Sequence, residues 1–319
     1  MLNDTKLRAI LNPTQPSRTA GLTGLSNLDE DESAELRRVL FDVPVERRRW
    51  VAQSLNDLAE DNATFDFEAV FTILLDDEDP HVRRLAIDGL WEVDDRWLIE
   101  PLIRMLQRDP DEGVRATAAL ALGRYVVLNE FGEVRARDAD SVIDALRGAV
   151  DDPNQRLEVR ARAVEAAGAS SASWAEDMIW RAFDADEPRF QVSAIHAMGR
   201  NGNPDWLPTL FTEMESPDPQ RRFEAAGAAG RLGDEDAIPH LVDLIEDEDA
   251  EVQEAAIAAL GDIGGDAAVE VLRSHLQNVD ARIQDAIRTA IAEALAAEGL
   301  VGPPQIRPVG DDGEDDDYE

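Results

Sequence analysis

One block of residues is written again and again along this chain, and that repetition restricts the fold more than any other feature. "DPHVRRLAIDGLWEV" at 79 is followed by "DPDEGVRATAALALG" at 109 and "NQRLEVRARAVEAAG" at 154. It returns as "DEPRFQVSAIHAMG" at 186, "DPQRRFEAAGAAGRLGD" at 218, "DAEVQEAAIAALGDIG" at 249 and "DARIQDAIRTAIAEAL" at 280. The anchor positions Val82, Val114, Val159, Phe190, Arg221, Val252 and Ile283 are separated by 32, 45, 31, 31, 31 and 31 residues. A weaker copy, "VPVERRRWVAQSLNDLAED", begins at Val43. A fixed period of this size belongs to a stack of supersecondary units, each too small to bury its own apolar face.

Every unit predicts two helices. The first, helix A, opens at an Asp-Pro or Asp-Xaa turn, because Asp caps the first free amides and Pro fits the first turn. Apolar residues then recur at i, i+4 and i+8, as in Val82, Ala86 and Leu90, until a Gly or Asp cluster stops the helix. Helix B follows, for example "WLIEPLIRMLQR" at 97 or "AIPHLVDLIED" at 237. Runs such as "EAAGAAG" at 224 let neighbouring A helices approach closely. The Arg after the anchor (Arg83, Arg115, Arg160, Arg222) is placed to contact an acid of a neighbouring turn.

These residues carry a family resemblance. The chain resembles HEAT-repeat proteins of the short phycobilisome-lyase-like type, whose unit is roughly D-P-x-V-R-x-x-A-x-x-A-L-G, over about residues 43–297. The resemblance implies an all-α, right-handed α-solenoid of seven to eight helical hairpins, with the helices near 31–41 and 281–297 as caps. The expected organisation is a flexible segment at 1–28, a solenoid at 29–301 with a rim insertion near 124–138, and a disordered acidic tail at 302–319.

Composition bears on partners and compartment. There are 68 acidic residues against 31 basic ones, a net charge of −37, and Lys6 is the single lysine. Such a field opposes compaction at ordinary ionic strength, whereas molar salt shortens the screening length to about 3 Å. The expectation is a protein of a salt-rich cytosol, as in halophilic archaea. No basic stripe is present to displace counterions from a phosphate backbone, so nucleic acid is not an expected partner. No apolar run approaches the roughly 20 residues of a membrane span, no secretory signal opens the chain, and the localisation expected is cytoplasmic. The chain has no cysteine, which removes disulfides and Cys nucleophiles.

No catalytic constellation stands out in the sequence. Hydroxylases of this repeat class carry His-Glu dipeptides on facing helices; here His81, His196, His240 and His275 are followed by Val, Ala, Leu and Leu. No phosphate loop is present, and no carboxylate pair stands out among so many. Neither a cofactor nor a metal is expected. Among the tryptophans, the repeat register matches Trp180 and Trp206 to core positions and places Trp97 and Trp174 half exposed at the mouth of helix B. Arg104, Arg181, Thr212 and Asp243 fall at the exposed middle of helix B. Trp97, Arg104, Trp174, Arg181, Thr212 and Asp243 form the candidate surface for a partner, on the premise that B helices line the concave face; the alternative is that the tryptophans fill an alanine-rich core and the arginines pair with neighbouring acids. The expected function is a non-catalytic protein-protein scaffold or adaptor; the alternative from a different class is a lyase-like or metal- or cofactor-dependent enzyme, or its accessory subunit.

Overall fold

The computed structural model describes residues 7, 9–12, 19–277 and 280–297. The expected tail at 302–319 lies outside them. The described residues are helical throughout, with no strand, and the fold is an all-α solenoid. Two compact units divide the chain, Met1–Asn203 and Pro204–Glu319.

In the first unit α1 (Glu30–Leu40) precedes alternating A and B helices. The A helices are α2 (Val45–Asp61), α4 (Pro80–Gly89), α6 (Glu112–Glu130), α8 (Leu157–Ala167) and α10 (Pro188–Asn201). The B helices are α3 (Glu68–Leu74), α5 (Ile99–Arg108), α7 (Ala136–Asp151) and α9 (Ser173–Phe183). The second unit continues with α11 (Leu207–Met214), α12 (Pro219–Leu232), α13 (Ile238–Leu244), α14 (Ala250–Ile263), α15 (Gly265–His275) and α16 (Ala281–Ala297). The 124–138 stretch lengthens α6 to Glu130 and then turns through Gly132, whose φ is 73°. Within the segment expected to be flexible, Thr19–Leu25 forms a 3-10 helix against α2, and Leu7, Leu11, Leu22 and Leu25 are buried.

Asp caps start most of the A helices; those beginning at Val45, Leu157 and Pro188 have no side-chain cap. Asp79 accepts from the Val82 amide, Asp111 from Val114, Asp218 from Gln220, Asp249 from Glu251 and Asp280 from Ile283. Each bond satisfies one of the amides that a helix start leaves without a partner. Arg49 of α2 also donates to Asp79. That bond, helped by the cap and the nearby charge and opposed by partial burial, holds the Asp79 carboxyl down at about 2.

A second set of bonds ties some repeats to the next. Arg83 grips both carboxylate oxygens of Asp109 at 2.9 and 2.7 Å and donates to the Asp77 carbonyl at 2.8 Å. Asp77 receives Arg48 from the preceding repeat at 2.7 and 3.0 Å, and the pair is sealed from water. In the second unit Arg222 holds Asp247 at 2.7 and 2.8 Å and donates to the Ser216 carbonyl, while Gln253 donates to the Asp247 carbonyl. The acid also receives its own turn: the amides of Asp79, Asp111 and Asp249 donate to Asp77, Asp109 and Asp247. Two of the four expected arginines depart from the ladder. Arg115 meets Gln155 at 3.1 Å, and Arg160 donates to the Val150 carbonyl and lies over the Phe190 ring. Position 154 holds Asn and position 185 holds Ala where the ladder would need an acid.

Between A helices the approach is closer than a side chain allows. A Cβ placed on Gly168 would sit 2.8 Å from the Cα of Ala197, and one on Gly230 would sit 2.7 Å from that of Ala259. Gly123 meets Ala166 and Gly261 meets Ala290 in the same way, at 3.1 and 3.0 Å. Each glycine stands nine residues past its anchor and each alanine seven past the next anchor, so the contact recurs by register. The anchors are buried, except that Arg221 occupies one of these positions. Its charge is met by Glu213, itself buried on α11, at 2.5 Å.

Gly230→Ala lowers stability by about 1–3 kcal/mol, because backbone must move to admit one methyl. Gly148→Ala, where the added carbon meets nothing within 4 Å, raises it by up to about 1 kcal/mol; urea unfolding followed by circular dichroism reads both. Arg221→Val alone strands the buried Glu213 and costs roughly 3–5 kcal/mol, while Arg221→Val with Glu213→Leu returns close to the parent stability. A double-mutant cycle in the same assay measures that coupling.

Candidate functional site

Among the copies anchored from Val82 to Val252 the glycine register fails once, at the first of them, and a cavity lies at the failure. Nine residues past Val82 the chain has Trp91 where the later copies have Gly123, Gly168, Gly199, Gly230 and Gly261. An indole has no room in a contact that excludes a methyl group. Helix α4 stops at Gly89, pressed against the Phe71 ring, and Trp91 stands 63% exposed. The chain crosses to α5 through "WEVDD".

That crossing is tied down by α6. The Tyr125 hydroxyl donates to the carbonyls of Val93 and Asp95 at 3.2 and 3.1 Å. Arg124 pairs with the Asp94 carboxylate and donates to the Glu92 carbonyl at 2.9 Å. Burial pushes the Tyr125 hydroxyl well above its ordinary pKa, so it stays a donor. The bond from Arg124 holds Asp94 below the usual carboxylate range against a smaller opposing effect of burial.

Between α4, α5 and α6 opens a cavity of about 330 Å³, within the range that small ligands or single anchoring side chains occupy. Ile87, Leu90, Leu98 and Leu102 form a buried floor, and Leu120, 41% exposed, stands with Trp91 among its lining residues. Three charged groups also line it: Asp88, Arg124 and Arg200, the last from α10. Burial raises the Asp88 pKa, offset in part by Arg84 and His81 on its own helix. Burial lowers that of Arg200, offset in part by Glu165.

The residues singled out from sequence lie elsewhere. Trp97, half buried, begins the B segment of the second repeat, and its amide donates to Asp95. Arg104 is exposed beside a shallow depression with Leu75 and Asp76. Trp174 is half buried under the Arg147 guanidinium, at 5.3 Å, and the exposed Arg181 pairs with Asp151 at 2.7 Å. In the second unit Thr212 is exposed and bonded to the Pro208 carbonyl, and Asp243 is exposed. None of the six lines the apolar cavity, whose charged groups come from A helices. Of the two tryptophans matched to core positions, Trp206 is buried. Trp180 is not: it is 43% exposed with Phe183 edge-on beside it. Its register partner Val242 is itself only half buried, so a ring at that position spills outward. Trp91 was missed as a site, although its break in the glycine register was visible in the sequence.

The histidines show no common site. His81 is exposed, His240 stacks on Phe211 at 4.0 Å and His275 bonds the Val271 carbonyl. Among the described residues no group of three or more His, Asp or Glu is arranged to hold a metal ion, and no helix is long and apolar enough to cross a membrane.

Comparison with known proteins bears on the family. A family model described as HEAT repeats matches residues 67–168, 175–250 and 241–296. The complex of CpcE and CpcF of phycocyanin lyase from Nostoc is similar at 19% identity, covering 90% of this chain and 98% of that one, with a TM-score of 0.50. The Escherichia coli protein YibA is similar at 18% identity, covering 89% and 98%, with a TM-score of 0.47. Human deoxyhypusine hydroxylase, in complex with glycerol, is similar at 20% identity, covering 92% and 96%, with a TM-score of 0.32. At such identities the likeness is one of fold. No curated protein sequence matches the chain.

Proposed function

The chain belongs to the HEAT-repeat family, and we propose that it is a non-catalytic scaffold that docks a partner protein on the A-helix face of its first unit. The observation that carries this reading is the pairing of exposed Trp91 and Leu120 with a cavity whose apolar floor is buried. Binding energy concentrates where an aromatic anchor borders a desolvated pocket. Trp91 is held in place by its flanking crossing, bonded to Arg124 and Tyr125, so little ordering is left to the moment of binding. The acidic surface fits a cytoplasm rich in salt, where the repulsion that opposes both folding and association is screened.

The lyase-like alternative keeps one feature in its favour, a cavity large enough for a small organic ligand. Affinity capture from a lysate in molar KCl separates the two. Intact chain and the Trp91→Ala, Leu120→Ala double variant serve as baits, with mass spectrometry as readout. The scaffold predicts a stoichiometric protein on the intact bait and a loss of at least about 2 kcal/mol, roughly 30-fold, on the variant. A coloured or metal-bearing eluate without a protein partner would contradict it and favour the enzyme.

A further inference from the structure

Arg200 lines the apolar cavity with most of its hydrogen-bonding capacity unused. One of its five N–H groups donates to the Glu165 carbonyl at 3.2 Å, and among the described residues no carboxylate lies within 4.0 Å of the guanidinium. The neighbouring acid is already committed. The Glu165 carboxylate, buried, takes Arg162 at 2.7 Å, Arg189 at 3.1 Å and the Ser193 hydroxyl at 2.6 Å. Asp88, the acid that lines the cavity, stands in the field of Arg84 and His81. In a chain of net charge −37, a half-buried guanidinium that lines an apolar cavity and pairs with no carboxylate is an open position for a negative group.

The cavity also limits what brings that group. Its floor of Ile87, Leu90, Leu98 and Leu102 suits an aliphatic or aromatic body. A small molecule enclosed in about 330 Å³ would leave the outer parts of Trp91 and Leu120 in water. A chain lying across them would cover both.

We infer that this cavity anchors a partner segment carrying a large apolar side chain next to a carboxylate, the apolar group filling the leucine floor and the carboxylate closing on Arg200. The inference rests on the scaffold reading and adds the chemistry of the partner. A purely apolar segment would push water from the free N–H groups of Arg200 and leave them unpaired, which is costly. A carboxylate satisfies them with charge-assisted, two-pronged bonds. Asp88 on α4 disfavours a carboxylate on its own side and so fixes the direction of the segment.

The test uses the full chain in molar KCl and three probes: the end-blocked peptide Leu-Phe-Glu-Phe-Leu, the same peptide with Gln for Glu, and octanoate. Dissociation constants are read from tryptophan emission, with Trp91→Phe confirming which residue reports. The inference predicts that the Glu peptide binds at least about tenfold tighter than the Gln peptide. Arg200→Gln abolishes that preference while leaving the Tm unchanged. Because the Glu and Gln peptides are compared on the parent protein, the preference stands even if the Arg200 variant folds poorly. Equal binding of the two peptides, weakened by Trp91→Ala but not by Arg200→Gln, would overturn the carboxylate anchor and leave the docking face intact. Octanoate binding without either peptide would overturn it in favour of a small carboxylate ligand. No binding of any probe would overturn it together with the use of this cavity.

Discussion

Everything in this fold depends on how near one A helix can come to the next. Where Gly168 faces Ala197 and Gly230 faces Ala259, the missing side chain brings backbone against backbone, closer than any larger residue permits. Close packing of this kind gains many small dispersion contacts and tolerates no added carbon. The same register that creates the contact carries the caps and the arginine ladder, so three weakly specific signals fall on one period. Their agreement is what lets a 31-residue unit with few aromatics specify a single stacking.

The ladder sets register where the glycines set distance. A guanidinium that holds both oxygens of the next repeat's Asp, and also the carbonyl that ends the previous B helix, cannot slide by one residue without losing all of these bonds. Arg48 with Asp77 and Arg83 with Asp109 do this in the first unit, and Arg222 with Asp247 in the second. Such buried pairs add little net stability by themselves, since desolvation offsets attraction, but breaking one is costly. Their contribution is to penalise the wrong stacking.

Much of this was legible in sequence because it is local or periodic. The Asp caps, the anchors, the all-helical hairpins and the close A-helix contacts all follow from residue type at fixed spacing. What escaped were properties of three-dimensional neighbours. Nothing near Arg221 in sequence announces that Glu213 will meet it, and nothing near Arg160 says that its acceptor will be a carbonyl. The candidate surface was placed on B helices by analogy, whereas the cavity draws its charged residues from A helices: Asp88, Arg124 and Arg200. Trp91 was the available clue. Between the copies anchored at Val82 and Val252 it is the one residue other than glycine in its column, and a broken rule in an otherwise regular repeat marks either strain or use.

The central claim is that a partner docks on the A-helix face at Trp91 and not along the B helices. Hydroxyl-radical footprinting of the chain, free and bound to its captured partner, tests this most directly, since Trp91, Leu120, Trp97 and Trp174 all belong to the first unit. The account predicts that the partner protects Trp91 and Leu120 from oxidation and leaves Trp97 and Trp174 at their free rates. Protection of Trp97 and Trp174 with Trp91 unchanged would contradict it and return the docking surface to the B helices.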